Sequence, residues 1–191
     1  DMAYAEVYFD DYRPISILQI PGANQVAVEL HSLSKTYNMA GFRVGMLVGN
    51  PDLVDAVGRL KSNIDSGMFR PIQYAAIEAL HLPQSWLQER NAIYRRRRDL
   101  LVEGLNAVGM RTESPKAGLY VWSAIPKGST SRDFANWLFD TTGVYLTPGT
   151  NFGATGEGYV RISLTAPDER IETALERIRS TVGARFIAPH A

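Results

Sequence analysis

Lys35 stands in the stretch 32-SLSKTYNMAGFRVG-45, among the hydroxyls of Ser32, Ser34, Thr36 and Tyr37, with Arg43 eight residues further on. That grouping suits a covalent cofactor site better than a solvated loop. A lysine amine has an ordinary pKa of about 10.4, and it becomes a nucleophile, able to form a Schiff base, only when burial or a nearby cation lowers that value. Arg43 can supply the cation. Two serine hydroxyls and a guanidinium around one lysine also make a phosphate seat, because the planar donor fork of arginine matches phosphate oxygens. The plainer alternative is turn chemistry, with an exposed loop lysine and a structural arginine.

Two further sites join this one. Asp1 and Tyr4 are spaced D-x-x-Y. A carboxylate can hold a ring nitrogen protonated through an ion pair, and a phenol can hydrogen-bond a ring oxygen. The alternative is a strand-end Asp and a packed Tyr. Arg161 interrupts the apolar strand 159-YVRISL-164. A buried arginine is costly without an anion, so it reads either as a bidentate clamp for a substrate carboxylate or as half of an internal ion pair. The run 94-YRRRRDL-100 spreads four arginines around most of a helix. It reads as solvated packing, since nothing aromatic or basic extends it into a nucleic-acid patch.

Several elements must position these residues. Residues 25–32 alternate around Val and Leu and predict a buried strand, and the short apolar run 43–49 predicts a second. Asn50-Pro51 reads as an N-cap and first helical position, with Leu53, Val54, Val57 and Leu60 at helical spacing behind it. Asp65-Ser66-Gly67 breaks that helix before another over 71–80. The segment 84–109 keeps a period near 3.6 through Trp86, Leu87, Ile93, Tyr94, Leu100, Leu101 and Leu105, and ends at Gly109. A helix this long suits a bridge between lobes, with a boundary near residue 96. Beyond it, strands are predicted at 119–125, 144–147 and 158–164, and helices at 131–140 and 167–182. The pattern is that of an α/β protein.

Composition narrows the function classes. At 45% hydrophobic and 21% charged, the 191-residue chain can bury a core. Twenty basic residues balance twenty acidic ones, so nothing steers the whole molecule to nucleic acid or to an acidic membrane. The absence of cysteine excludes disulfides, thiolate metal sites and a Cys nucleophile. His31, His81 and His190 lack metal-ligand spacing. No apolar run is long enough to span a bilayer and no signal peptide opens the chain, so a cytoplasmic location is expected. The chain begins at Asp1 rather than Met and reads as a piece of a longer polypeptide.

Taken in order, D-x-A-Y, S-x-S-K, an Arg eight after the Lys and an Arg in a late R-I-S strand resemble the fold-type I, pyridoxal 5'-phosphate (PLP)-dependent aminotransferases of class I/II. SLSKTYNMAGFRVG, GLYVW, TPGTNFG and YVRISL resemble family segments in the same order. The resemblance implies that residues 1–95 are the C-terminal portion of a large PLP-binding domain with a mixed, mostly parallel sheet and helices. It implies that 96–191 form a small C-terminal α/β domain. Lys35 would be the catalytic lysine joined to the cofactor. Asp1 would pair with the pyridine nitrogen and Tyr4 with the phenolic oxygen. Ser32, Ser34 and Arg43 would hold the phosphate, and Arg161 the substrate α-carboxylate. No metal is implied.

The implied reaction is transamination between an amino acid and a 2-oxo acid, in a homodimer without nucleic-acid or membrane partners. The phrases 61-KSNIDSGMF-69 and 147–164 are most similar to LL-diaminopimelate and aspartate-type members, with N-I-D-S-G favouring diaminopimelate. The family's N-terminal half has no counterpart in this sequence. A fragment is therefore implied, inactive by itself, whose open sheet edges and apolar face associate with the other half or a second copy. The same residues also serve PLP-dependent lyases and decarboxylases, and aminotransferase-like effector domains of transcription regulators.

Overall fold

Strand β1 (Val28–Ser32) stops where the Ser32 hydroxyl accepts the Ser34 N–H at 3.1 Å. That bond caps the single helical turn α1 (Leu33–Thr36), satisfying one of the amides that a helix start leaves unpaired. A 3-10 turn at Ala40–Phe42 returns the chain to β2 (Gly45–Gly49), which pairs antiparallel with β1, Ser32 opposite Gly45. Glycine is needed at Gly49, where φ is +135° and a Cβ would sit 2.4 Å from the Ala27 carbonyl oxygen. The computed structural model of the chain describes residues 1–186, with side chains to 182, so His190 lies outside the described residues. It divides into two compact units, Asp1–Asn91 and Ala92–Ala191, and the division falls within helix α4 (Gln84–Ala107).

In the first unit, Asn50 caps α2 (Pro51–Ile64), its Oδ1 accepting the Leu53 N–H at 3.0 Å, with Pro51 at the start. Helix α3 (Arg70–Leu80) has Pro71 in its first turn and buries Ala76 and Ala79 against Leu33, Met39 and Val44. Tyr37 and Ile72 pack on the same cluster. The turn bearing Lys35 thus rests its Leu33 face on α3.

One expectation needs correction here. The two strands are not buried throughout: Leu30 is 55% exposed, and Met46 and Val48 are exposed too. The contiguous apolar run of β2 signalled burial, but exposed residues lie on both sheet faces, Leu30 on one and Met46 and Val48 on the other. Every strand pair among the described residues is antiparallel. The β1–β2 connection holds only one helical turn and one 3-10 turn, and parallel neighbours need a full crossover.

In the second unit, β3 (Tyr120–Ala124), β5 (Tyr159–Ser163) and β4 (Thr147–Pro148) form an antiparallel sheet in the order β3-β5-β4. The strand predicted over 144–147 shrinks to two residues, because only Thr147 and Pro148 find partners, opposite Arg161 and Val160. Val121, Ser123 and Val160 are fully buried on one face. They join a core with Phe134, Ala135 and Leu138 of α5 (Ser131–Thr142) and Ile171, Leu175 and Ile178 of α6 (Asp168–Phe186). Helix α4 adds Leu101 and Leu105, and its Gly104 lets Leu175 of α6 approach closely, since a Cβ there would stand 2.7 Å from Leu175 Cδ2. Strict alternation leaves Tyr120, Trp122, Tyr159 and Arg161 together on the opposite sheet face.

The arginine run is less solvated than expected. Arg97 donates from Nε to Asp168 at 2.5 Å and from Nη1 to the Leu164 carbonyl at 3.1 Å. Arg96 also pairs with Asp168, and Arg98 is buried, donating to Asp99 and the Pro115 carbonyl. The Arg96 and Arg97 contacts hold α4 to the start of α6.

Candidate active site

Six of the seven site residues predicted from sequence fall in the first unit, on three stretches joined by hydrogen bonds. The Asp1–Tyr4 stretch is tied to β1 by the Met2 N–H on the Leu30 carbonyl at 2.7 Å. The Lys35 turn is tied to the Arg43 stretch by the Leu33 N–H on the Val44 carbonyl at 3.1 Å. β1 itself runs into the Lys35 turn. Within the unit, therefore, Asp1, Tyr4, Ser32, Ser34, Lys35 and Arg43 belong to one hydrogen-bonded framework.

Their side chains are held locally. Asp1 is exposed and its Oδ1 accepts the Ala3 N–H at 3.0 Å, closing the first turn of the chain. Tyr4 is half-buried. The Ser32 hydroxyl accepts from Ser34 and keeps its own proton to donate. Lys35 is half-buried, and no hydrogen bond or ion pair engages its Nζ among the described residues. Arg43 is exposed and donates from Nη1 to the Ala40 carbonyl at 2.8 Å. Its backbone is left-handed, at φ 56° and ψ 46°, a conformation that costs an ordinary side chain about 1 kcal/mol or more. Strain of this kind persists where the surroundings hold it.

Sequence reasoning missed Arg90 and Asn91. Both are buried: Arg90 donates to the Lys35 and Thr36 carbonyls and to that of Glu6, just beyond the Asp1–Tyr4 stretch, and Asn91 donates to the same Glu6 carbonyl. The available signal was positional. Arg90 is three residues after Leu87 and four before Tyr94, on the apolar stripe of α4, where an arginine is out of place unless it has work to do. Nearby, Tyr37 stacks on Trp86 with centroids 5.9 Å apart. Burial raises the Tyr37 phenol above its usual 10.0, the Glu6 carboxylate adds to the rise, and the Arg90 guanidinium opposes it.

A second buried polar centre lies behind β1. Glu29, 3% exposed, accepts the Ile17 N–H at 2.6 Å and contacts His31 Nε2 at 3.0 Å. Burial works to raise its pKa, but hydrogen bonds from Ser16, His31 and Ile17 outweigh it, and the carboxyl sits below its ordinary 4.5. The bond to Ile17 fixes the 3-10 turn at Ile17–Gln19 against β1.

Arg161 belongs to the second unit. Its guanidinium is sandwiched between the rings of Tyr120, 4.0 Å to the centroid, and Phe152, at 4.2 Å. No ion pair reaches it among the described residues, so the internal ion pair weighed from sequence is not what holds it. The two rings flank the guanidinium, and no hydrogen bond or ion pair engages its N–H groups among the described residues. Trp122 stands opposite Arg161 in the register and stacks on Tyr159 at 5.7 Å.

Among the described residues, no group of three or more His, Asp or Glu side chains could hold a metal ion, and no helix is long and apolar enough to cross a membrane.

Comparison with known proteins gives this framework a context. The LL-diaminopimelate aminotransferase of Dehalococcoides mccartyi is 51% identical over 178 residues, covering 93% of this chain and 46% of its own length. That of Desulforudis audaxviator is 50% identical over 183 residues, covering 96% of this chain and 47% of its own length. The chain thus spans about half the length of the curated relatives it matches. Among solved structures, an aromatic aminotransferase from Pyrococcus horikoshii superposes with a TM-score of 0.90 at 32% identity, over 96% of this chain and 50% of that one. Residues 1–178 match the profile of aminotransferase class I and II, and the chain belongs to that family.

Proposed function

We propose that this chain supplies the lysine-bearing part of a PLP-dependent aminotransferase subunit, with an LL-diaminopimelate-type amino donor and a 2-oxo acid acceptor. The observation that carries the reading is the single framework in which the Lys35 turn, the Asp1–Tyr4 stretch and the Arg43 stretch are bonded together. Their donor set fits the cofactor group by group: an amine for its aldehyde, a carboxylate for its ring nitrogen, a phenol for its ring oxygen, and hydroxyls with a guanidinium for its phosphate. PLP, when bound, supplies an electron sink for the charge left at the substrate Cα.

The chain's own residues do the rest. Lys35 Nζ would hold the cofactor covalently and, once the substrate's amine has displaced it, would be the free amine placed to take the proton from Cα. The Asp1 carboxylate keeps the ring nitrogen protonated. Tyr4 donates to the ring oxygen. The Ser32 and Ser34 hydroxyls and Arg43 bind phosphate. Arg161 binds the α-carboxylate through its N–H groups, with Tyr120 and Phe152 holding the guanidinium plane.

In this reading Asp1–Asn91 closes the large domain and Ala92–Ala191 is the small one, the subunit pairs as a cytoplasmic homodimer, and the chain alone does not turn over. The test is a screen of amino donors against oxo-acid acceptors with the complete subunit. Exchange with LL-diaminopimelate as the best donor is expected. No PLP-dependent exchange with any donor would refute the reading.

A further inference from the structure

Arg90 reaches across parts of the first unit that the sequence keeps far apart. It is 6% exposed, and its guanidinium fans onto carbonyl groups. Nη1 donates to the Lys35 carbonyl at 2.9 Å and to that of Thr36. Nη2 donates to the Glu6 carbonyl at 2.6 Å and to Asn91 Oδ1 at 2.7 Å. Asn91 Nδ2 donates to the same Glu6 carbonyl at 2.9 Å. One buried side chain therefore grips the end of the Lys35 turn and the chain just beyond the Asp1–Tyr4 stretch.

Both ends need such a grip. Helix α1 is a single turn of four residues, too short to hold its own shape, and the last carbonyls of a helix have no partner within it. Those of Lys35 and Thr36 are the ones Arg90 takes. Residues 1–7 form no helix or strand and are held by turn bonds such as Ala5 to Met2 and Val7 to Tyr4, with Met2 on Leu30 fixing the near end. Glu6 is the far end. Burying a guanidinium is expensive, and an apolar residue would pack beside Trp86 at less cost. What the apolar residue could not do is donate several bonds at fixed angles. A lysine could not either, having one compact ammonium on a flexible stem.

We propose that Arg90, steadied by Asn91, is a positioning residue: it locks the turn that carries Lys35 Nζ to the stretch that carries Asp1 and Tyr4. The inference rests on Lys35 being the functional lysine. Its test uses the complete subunit with the variants Arg90→Lys, which keeps the charge and loses the fan, and Asn91→Ala, which leaves Arg90 in place.

In cofactor-free protein, Lys35 is labelled with formaldehyde and cyanoborohydride, and its rate is read by mass spectrometry against exposed Lys127 in the same molecule. With melting temperatures near the parent's, the Lys35-to-Lys127 ratio is expected to rise about tenfold in R90K and about threefold in N91A, and PLP affinity to fall in parallel. A purely structural arginine would leave that ratio alone once the fold is intact, so unchanged ratios overturn the proposal. Should R90K fail to fold, N91A alone decides. Labelling needs no cofactor. A changed ratio in a protein whose parent does not bind PLP would sink the functional reading and leave the positioning role standing.

Discussion

Replacing Arg161 by Met removes the guanidinium while keeping a side chain of similar length between the two rings. Its expected cost follows from the geometry. A bidentate arginine–carboxylate pair makes two charge-assisted hydrogen bonds, each worth about 1.5–3 kcal/mol. Arg161 is only half-buried, so the lower end applies, about 3 kcal/mol in all, or roughly a hundredfold in kcat/KM. The rings of Tyr120 and Phe152, at 4.0 and 4.2 Å, add about 1–2 kcal/mol together, holding the plane of the fork.

Arg161→Lys keeps the charge and loses fork and stacking, so about a tenfold loss is expected. The assay is a single-turnover half-reaction with several amino acids and with one simple amine that lacks an α-carboxylate. Every amino acid should lose alike, because each presents the same carboxylate, and the simple amine should lose nothing. A loss confined to one donor, or an equal loss with the simple amine, refutes the reasoning.

Two further outcomes are expected. At Arg43, where φ is 56°, Gly is at ease and Ala is strained, so Arg43→Gly should be more stable than Arg43→Ala by about 1 kcal/mol in urea melts. Both should bind PLP more weakly by the same factor, and equal stability of the two variants would show that the backbone there is unstrained. Glu29→Ala removes the partner of the part-buried Ile17 N–H and of His31, and should cost about 1 kcal/mol at neutral pH. The Glu29 carboxyl is lowered in the folded state, so its contribution is complete above its ordinary 4.5 and drains away as pH falls below that. The gap between parent and variant should narrow in melts at pH 3–4, and a gap independent of pH would refute the ionic origin.

What the sequence made legible was local chemistry. Asn50-Pro51 marked a helix start, and the apolar period from Trp86 to Leu105 marked α4, because each depends on neighbours within a turn or two. The Lys35 motif was equally plain in one stretch. Its conformation was not. That Ser32 caps a four-residue helix emerges only with the turn built.

The misses are long-range. Arg90 acquires its role from carbonyls 54 to 84 residues away, which no local pattern encodes. Arg161 found aromatic faces rather than an acid because β3 and β5 set Tyr120, Trp122 and Tyr159 on its side of the sheet. The apolar run of β2 was read as a buried strand, yet Met46 and Val48 are exposed, because a short apolar run does not say which elements pack on it.

The central claim is that Lys35 carries the cofactor. It is tested most directly by incubating the complete subunit with PLP, reducing with borohydride and mapping the adduct by peptide mass spectrometry. One adduct, on Lys35, is expected, and it should vanish in Lys35→Ala together with turnover. An adduct on Lys61, Lys116 or Lys127 instead, or turnover that survives Lys35→Ala, would contradict the claim.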